Sequence, residues 1–165
     1  MEIKRHSGSD RELPHAHLYH ALLPVIFWVI WFLDLQFFQI STFLNDYIPF
    51  LIRLVVFACV FFIALMFIIK SHNLLFKSHE PPDHVINTGI LRYVRNPMYL
   101  GILLIYISLI CLSISLISIG VFIVVFLVYN WMVNFEERIL EVRYGEQYKE
   151  YKKSVPKWIP TPFIK

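Results

Sequence analysis

The chain has 165 residues, 58% of them hydrophobic and 16% charged, with a formal net charge of +3 at pH 7. A soluble domain carries about 25% charged residues, so the composition excludes an ordinary water-soluble fold, and nucleic acid is not an expected partner. The length suits one domain over residues 1–165, and 15 phenylalanines with 9 tyrosines fit a bilayer-embedded chain with aromatic residues at its interfaces.

The first seventeen residues carry both charge signs and no short apolar stretch with a small-residue cleavage site. They read as a retained segment, not a cleaved signal. Leu18 to Ile40 is the first long apolar run, interrupted by Asp34, and Ile48 to Ile69 is the second, with Arg53 near its start. Each crosses about 30 Å of hydrocarbon as a helix, placing helices over about 18–40 and 48–70. Asp34 and Arg53 fall at similar depth. Because charges inside a membrane pair or face a cavity, an ion pair between the first two helices is expected.

Met98 to Val133 is 36 residues without a charge. One helix of that length would measure ~54 Å, too long for a bilayer. Two helices over about 97–113 and 115–135 fit instead, joined by a tight turn at Ser113 to Ser115. The tail from Glu136 to Tyr151 reads as a surface helix broken at Gly145, a residue suited to a C-cap. Val155 to Pro160 reads as an extended strap with Trp158 at the interface. Cys59 and Cys111 lie inside apolar runs and read as buried thiols, not as a disulfide or metal ligands.

Basic residues are distributed unevenly. Lys4, Arg5 and Arg11 precede the first helix, and the loop from Ser41 to Pro49 has no Lys or Arg. Lys70, Lys77, Arg92 and Arg95 follow the second helix, and seven basic residues follow from Arg138. The positive-inside rule then puts both termini, residues 71–96 and residues 136–160 on the cytosolic face. The fold class expected is an all-α multi-pass membrane protein with about four transmembrane helices, the third and fourth a tight hairpin, and a pocket formed by the cytosolic loop and helical tail.

Two polar clusters flank the uncharged run. Asn96 and Pro97 are helix-start signals. A helix N-terminus beside Arg95 attracts an anion such as a carboxylate. Glu136 and Glu137 at the other end of the run read as ending the fourth helix on one face, where two negative charges at a helix C-terminus call for a cationic partner. Together the clusters suit a zwitterion such as an amino acid moiety. His15, His17 and His20 are spaced too loosely to argue for a metal site. His72, His79 and His84 read as solvent-exposed or ligand-lining.

Three stretches carry a resemblance over about Asp83 to Pro160. They are His84-Val85-Ile86-Asn87-Thr88-Gly89 with Arg92-Tyr93-Val94-Arg95-Asn96-Pro97-Met98-Tyr99-Leu100-Gly101, the pair Glu136-Glu137, and Tyr144-Gly145, Tyr148, Tyr151 and Val155-Pro156. They resemble the isoprenylcysteine carboxyl methyltransferase family and the related phospholipid methyltransferases. The resemblance implies a membrane methyltransferase that uses S-adenosyl-L-methionine on a lipidic, prenylated or small apolar substrate from the bilayer. It favours carboxyl O-methylation, with phospholipid N- or thiol S-methylation behind. By matching positions, Asp83, His84, Val85, Ile86, Leu91, Asn96, Pro97, Met98, Tyr99 and Glu136 bind the cofactor, and Arg95, Asn96, Tyr99 and Glu136 carry the catalytic role. The chain departs from the pattern in four places, one of them Asp83, which stands where a histidine occurs. Asn96 stands where the family usually has histidine and cannot titrate near neutral pH. Leu91 replaces a common tyrosine, and Met132 replaces a substrate-binding arginine. An NADPH-dependent sterol reductase, which shares a similar signature, and a non-enzymatic small membrane protein are the alternatives.

Overall fold

The computed structural model describes residues 16–75 and 83–160. His15, His79, Lys77 and the N-terminal basic residues lie outside this range. The described chain is all helix and connection: α1 (Ala16–Leu33), α2 (Phe50–Leu75), α3 (Pro97–Ser113), α4 (Leu116–Tyr144) and α5 (Glu146–Ser154). Three apolar stretches, His17–Phe38, Phe50–Leu75 and Leu116–Tyr144, are long enough to cross a membrane, and α3 is a shorter apolar helix of 17 residues. At 1.5 Å per residue α3 spans roughly 26 Å, at the lower limit for a crossing. The protein is an all-α membrane protein. Large apolar side chains on α1, α2 and α4, among them Phe62, Leu51 and Leu127, are exposed, as a lipid-facing surface requires.

α3 begins where expected. Pro97 occupies its first turn, where its missing N–H costs nothing, and Asn96 precedes it. The helix stops at Ser113 because Ile114 enters the left-handed region at φ 46°. Ser115 then caps α4, its Oγ accepting the Ser118 N–H at 3.0 Å. The tight turn falls at 113–115, as the sequence suggested. α4 differs from expectation. It runs unbroken to Tyr144, so Glu136 and Glu137 lie within the helix and not at its end. The helix-end charge argument therefore does not apply to them. The uncharged run stops at Val133, but Phe135 to Tyr144 hold no Pro or Gly and include Glu, Arg and Leu, which favour helix, so nothing breaks the helix before Gly145. Gly145 takes φ 58° and ψ −130°, a conformation that favours glycine, and its N–H closes the helix on the Glu141 carbonyl.

α2 and α3 form the most extensive helix pair. They approach closely where Gly101 faces Ala64 and Ile68. The buried core lies between α1, α3 and α4: Phe27 and Trp31, Leu103 and Tyr106, and Val125, Tyr129 and Met132. Trp31 closes it by donating from Nε1 to Ser113 Oγ at 3.0 Å and to the Leu109 carbonyl at 3.1 Å.

The expected ion pair between Asp34 and Arg53 does not form. A π-helical turn from Asp34 to Phe38 ends α1 and carries Asp34 inward, where Oδ2 accepts from Ser41 Oγ at 2.5 Å and Ser115 Oγ at 2.6 Å. Arg53 instead donates to Asn45 Oδ1 at 2.6 Å, the Ile48 carbonyl at 3.1 Å and the Leu112 carbonyl at 2.8 Å. Ser41 and the Ser115 hydroxyl of the α3–α4 turn bond the acid through Oδ2, while Oδ1 is buried without a hydrogen-bond partner among the described residues, and the end of α3 gives an orphan carbonyl to the base, so the two charges are held separately. Cys59, expected to be buried, is exposed on the outer face of α2, and Cys111 is half-buried; both are free thiols.

Candidate active site

α3 and α4 bring the two polar clusters of the sequence together. The Tyr99 hydroxyl donates to Glu136 Oε1. One residue along α4, Glu137 turns to the start of α3, where its Oε1 accepts from Arg95 Nε at 3.1 Å and from Asn96 Nδ2 at 3.0 Å. Glu137 is 4% exposed, whereas Glu136 is half-buried. Neighbouring helical positions point about 100° apart, so the pair does not share one face. Glu137 serves the interior and Glu136 the boundary.

Arg95 is held from all sides. Its Nη1 donates to the Lys152 carbonyl at 2.7 Å and the Val155 carbonyl at 3.1 Å, while its backbone N–H donates to the Pro156 carbonyl at 2.9 Å. The guanidinium thus closes the end of α5 and neutralises Glu137 at once, which is the work of a fork of fixed donors. Lys152 adds a second cation, 3.5 Å from Glu137 and 2.6 Å from Glu141. Asn96 sits at the cap position, but its side chain makes no cap bond and is given to Glu137.

The loop residues are anchored to α5. Val85 N–H donates to Gln147 Oε1 at 3.3 Å and its side chain packs on Tyr148, Tyr151 and Val155. The Leu91 carbonyl accepts from Tyr151 Oη at 2.6 Å. Burial is the main force pushing both the Tyr148 and Tyr151 phenols above their ordinary value, so Tyr151 holds its donor proton. Asp83 and His84 are exposed, Ile86 and Met98 half-buried, Leu91 and Pro97 buried. The structure therefore divides the expected site residues. Arg95, Asn96, Tyr99 and Glu136 meet between α3 and α4, while Val85 and Leu91 meet α5. A shallow depression beside the latter is lined by Val85, Asn87, Gln147, Glu150, Tyr151 and Ser154. Three of these six, Gln147, Glu150 and Ser154, carry no sequence signal that marks them, and Asn87 lies in the stretch that carries the resemblance without being an expected site residue.

The strap after α5 is drawn onto α4. Lys157 Nζ donates to Asn130 Oδ1 and Asn134 Oδ1, each at 2.7 Å, and burial lowers its pKa. Trp158 is half-buried on Phe126 and donates to Asn130 Oδ1 at 3.2 Å. Sequence reasoning also missed His20. Its ring lies 5.5 Å from Tyr99 and 5.7 Å from Tyr129, so α1 reaches the Tyr99–Glu136 pair. Among the described residues no three His, Cys, Asp or Glu side chains converge as metal ligands.

The family model for phospholipid methyltransferases matches residues 50–147, from the start of α2 into α5 and more than half of the chain. The chain belongs to the phospholipid methyltransferase family. No curated protein matches it. Membership makes the chain a membrane methyltransferase, and the matched segment contains Arg95, Asn96, Tyr99, Glu136 and Glu137. α1, with His20, precedes the family segment, and the strap with Lys157 and Trp158 follows it.

Proposed function

We propose that this membrane methyltransferase uses S-adenosyl-L-methionine and acts on a lipidic acceptor at the membrane surface. The observation that carries the reading is the Tyr99–Glu136 pair, held half-buried between α3 and α4 inside the family segment. The residues suit the cofactor. Glu136 offers a carboxylate to its ammonium, Tyr99 and the rings behind it offer π-faces to its sulfonium, and Asn96 offers amide chemistry at the start of α3. When bound, the cofactor supplies an activated methyl on sulfur.

The chain's own part is alignment and exclusion of water. Fully buried Tyr129 and Met132 belong to the core against which Tyr99 packs. Arg95 acts as a positioning residue, because its Nε and Nη1 donors tie Glu137 to the end of α5.

Carboxyl O-methylation, which the resemblance favours, calls for a cation to hold the acceptor carboxylate. Arg95 gives Nε to Glu137 and Nη1 to the Lys152 and Val155 carbonyls, and Met132, at the position of the family's arginine, is apolar and fully buried. We therefore carry both acceptors, the carboxyl that the resemblance favours and an amine of the phospholipid type, to the test. We place the site on the cytosolic face, as the basic residues of the loop and tail support.

Calorimetric titration of the detergent-purified protein tests the class. Saturable binding of S-adenosylmethionine and S-adenosylhomocysteine is expected. Binding of NADPH alone, or of none of the three, overturns the reading. Transfer of labelled methyl to nanodisc phosphatidylethanolamine against a prenylcysteine peptide then separates the amine from the carboxyl acceptor.

A further inference from the structure

One stripe along α4 serves neither the core nor the proposed methyl-transfer site. Val124, Leu127, Trp131, Asn134 and Arg138 follow one another at steps of three and four residues, so they share one face of the helix. All five are exposed, the three apolar ones by 58%, 59% and 52%. The chemistry of the stripe changes once. Apolar side chains run to Trp131, and polar ones begin at Asn134, just past Val133, where the uncharged run ends.

The strap after α5 adds a cation at that change. Lys157 Nζ lies 2.7 Å from both Asn130 Oδ1 and Asn134 Oδ1, and Trp158 Nε1 donates to the same Asn130 oxygen. The third contact of the ammonium, to the Asn130 carbonyl, is long at 3.4 Å and leaves a proton for a better acceptor. All these partners are neutral. Glu137 and Glu141 are taken by Arg95 and Lys152, and among the described residues neither Lys157 nor Arg138 has a carboxylate within 4.0 Å. A half-buried ammonium held by amides alone lacks a counterion. Because the Asn134 oxygen faces Lys157, its amide N–H groups point elsewhere, and among the described residues they have no acceptor.

We infer that this stripe and Lys157 bind one anionic phospholipid, its phosphate on Lys157, Arg138 and the Asn134 amide and an acyl chain along Val124, Leu127 and Trp131. At headgroup depth the phosphate is the anion that every phospholipid carries, and lysine takes it as a point charge. Two cations beside an apolar track complement a lipid of net negative charge. A second copy of the chain would also cover an apolar stripe. In one membrane, however, a two-fold pairing sets Arg138 and Lys157 of both copies at the same depth, and like charges oppose it. The inference goes beyond the proposed function, because it needs neither cofactor nor methyl transfer, and Lys157 follows the family segment.

Native mass spectrometry of the delipidated full chain in detergent, titrated with dioleoyl phosphatidylglycerol, reads the binding directly. One saturable lipid is expected, held more tightly than dioleoyl phosphatidylcholine, whose ammonium offsets its phosphate. Arg138→Gln and Lys157→Gln are each expected to weaken it about fivefold, the scale of one cation at an anionic surface. Lys157→Arg keeps the charge and is expected to keep the affinity. Arg138 is exposed and makes no hydrogen bond among the described residues, so its variant tests the site with the fold intact. Inorganic phosphate is the second probe. Binding of phosphate that depends on Arg138 and Lys157, without binding of phosphatidylglycerol, assigns the cluster to a soluble phosphate and overturns the lipid. Equal affinity for the two lipids, unchanged in the Arg138 and Lys157 variants, overturns the inference, as does a dimer that excludes the lipid.

Discussion

Arg95 and Glu137 form an ion pair at 3.1 Å in which the two side chains are only 10% and 5% exposed. Removing one member of such a pair leaves the other charge buried without its partner, a loss of roughly 3–5 kcal/mol. Glu137→Ala should therefore lower the melting temperature in detergent far more than Glu137→Gln, which retains an amide oxygen for Arg95 and Asn96. Equal melting of the two variants would show that the carboxylate charge is not needed there.

Glu136 makes the opposite prediction. It is half-buried and bonded to Tyr99 at the boundary, so the fold should tolerate Glu136→Ala. Cofactor affinity should fall by about 1.5–3 kcal/mol, on the order of ten- to a hundredfold, the range for a hydrogen bond to a charged group. Tyr99→Phe should lower turnover about tenfold by removing the donor that orients Glu136, with expression unchanged. An equal drop in expression and turnover would make Tyr99 a packing residue.

Asn96 is bonded across to Glu137 and not along its own helix. A histidine can donate from a ring nitrogen to the same carboxylate. Asn96→His is expected to retain or raise activity, while Asn96→Leu strips Glu137 of a donor and costs about 1–3 kcal/mol. Urea denaturation of the two variants beside their methyl-transfer rates separates the cases. Complete inactivity of a folded Asn96→His protein would mean that the site has been rebuilt around the amide.

Much of this arrangement was legible in the sequence, because its signals are local. The uncharged run of 36 residues forced a hairpin, and Ser113, Ser115 and Gly145 marked its turn and the end of α4 through backbone chemistry that only a few residue types supply. The meeting of Tyr99 with Glu136 followed from the same hairpin. What was not legible depends on helix rotation. Nothing in one chain's hydropathy says that Asp34 turns to Ser41 and Ser115 while Arg53 turns to Leu112, since both lie in uniformly apolar helices that lack a polar face to set their rotation. The division of Glu136 from Glu137 was hidden for a related reason. The sequence shows where polarity resumes but not whether the helix continues through it.

Gly101 and Gly120 make a matched pair of tests for the α2–α3 contact. A Cβ on Gly101 would lie 2.6 Å from Ile68 Cγ1 and 2.9 Å from the Ala64 carbonyl, whereas a Cβ on Gly120 meets nothing within 4 Å. Gly101→Ala must push two helices apart and should destabilise by ~1–3 kcal/mol. Gly120→Ala gains helix propensity of about 1 kcal/mol without a clash. The melting temperature should move down for the first and up for the second; a tolerated Gly101→Ala would show that α2 and α3 are not in close backbone contact.

The separate anchoring of Asp34 and Arg53 predicts how their losses combine. Asp34 is 2% exposed and holds Ser41 and Ser115, while Arg53 holds Asn45 and the end of α3, so the two share no partner. Asp34→Ala strips two hydroxyls of their acceptor at the α3–α4 turn, and Arg53→Ala leaves the Leu112 carbonyl without its donor; each should cost about 1–3 kcal/mol. Substitutions without a shared partner add to within roughly 0.5 kcal/mol, while a direct ion pair makes the double variant milder than the sum. Melting of Asp34→Ala, Arg53→Ala and the double variant is therefore expected to be additive. A coupling above about 1 kcal/mol would restore the ion pair between α1 and α2 and require Asp34 to face Arg53 and not the serines.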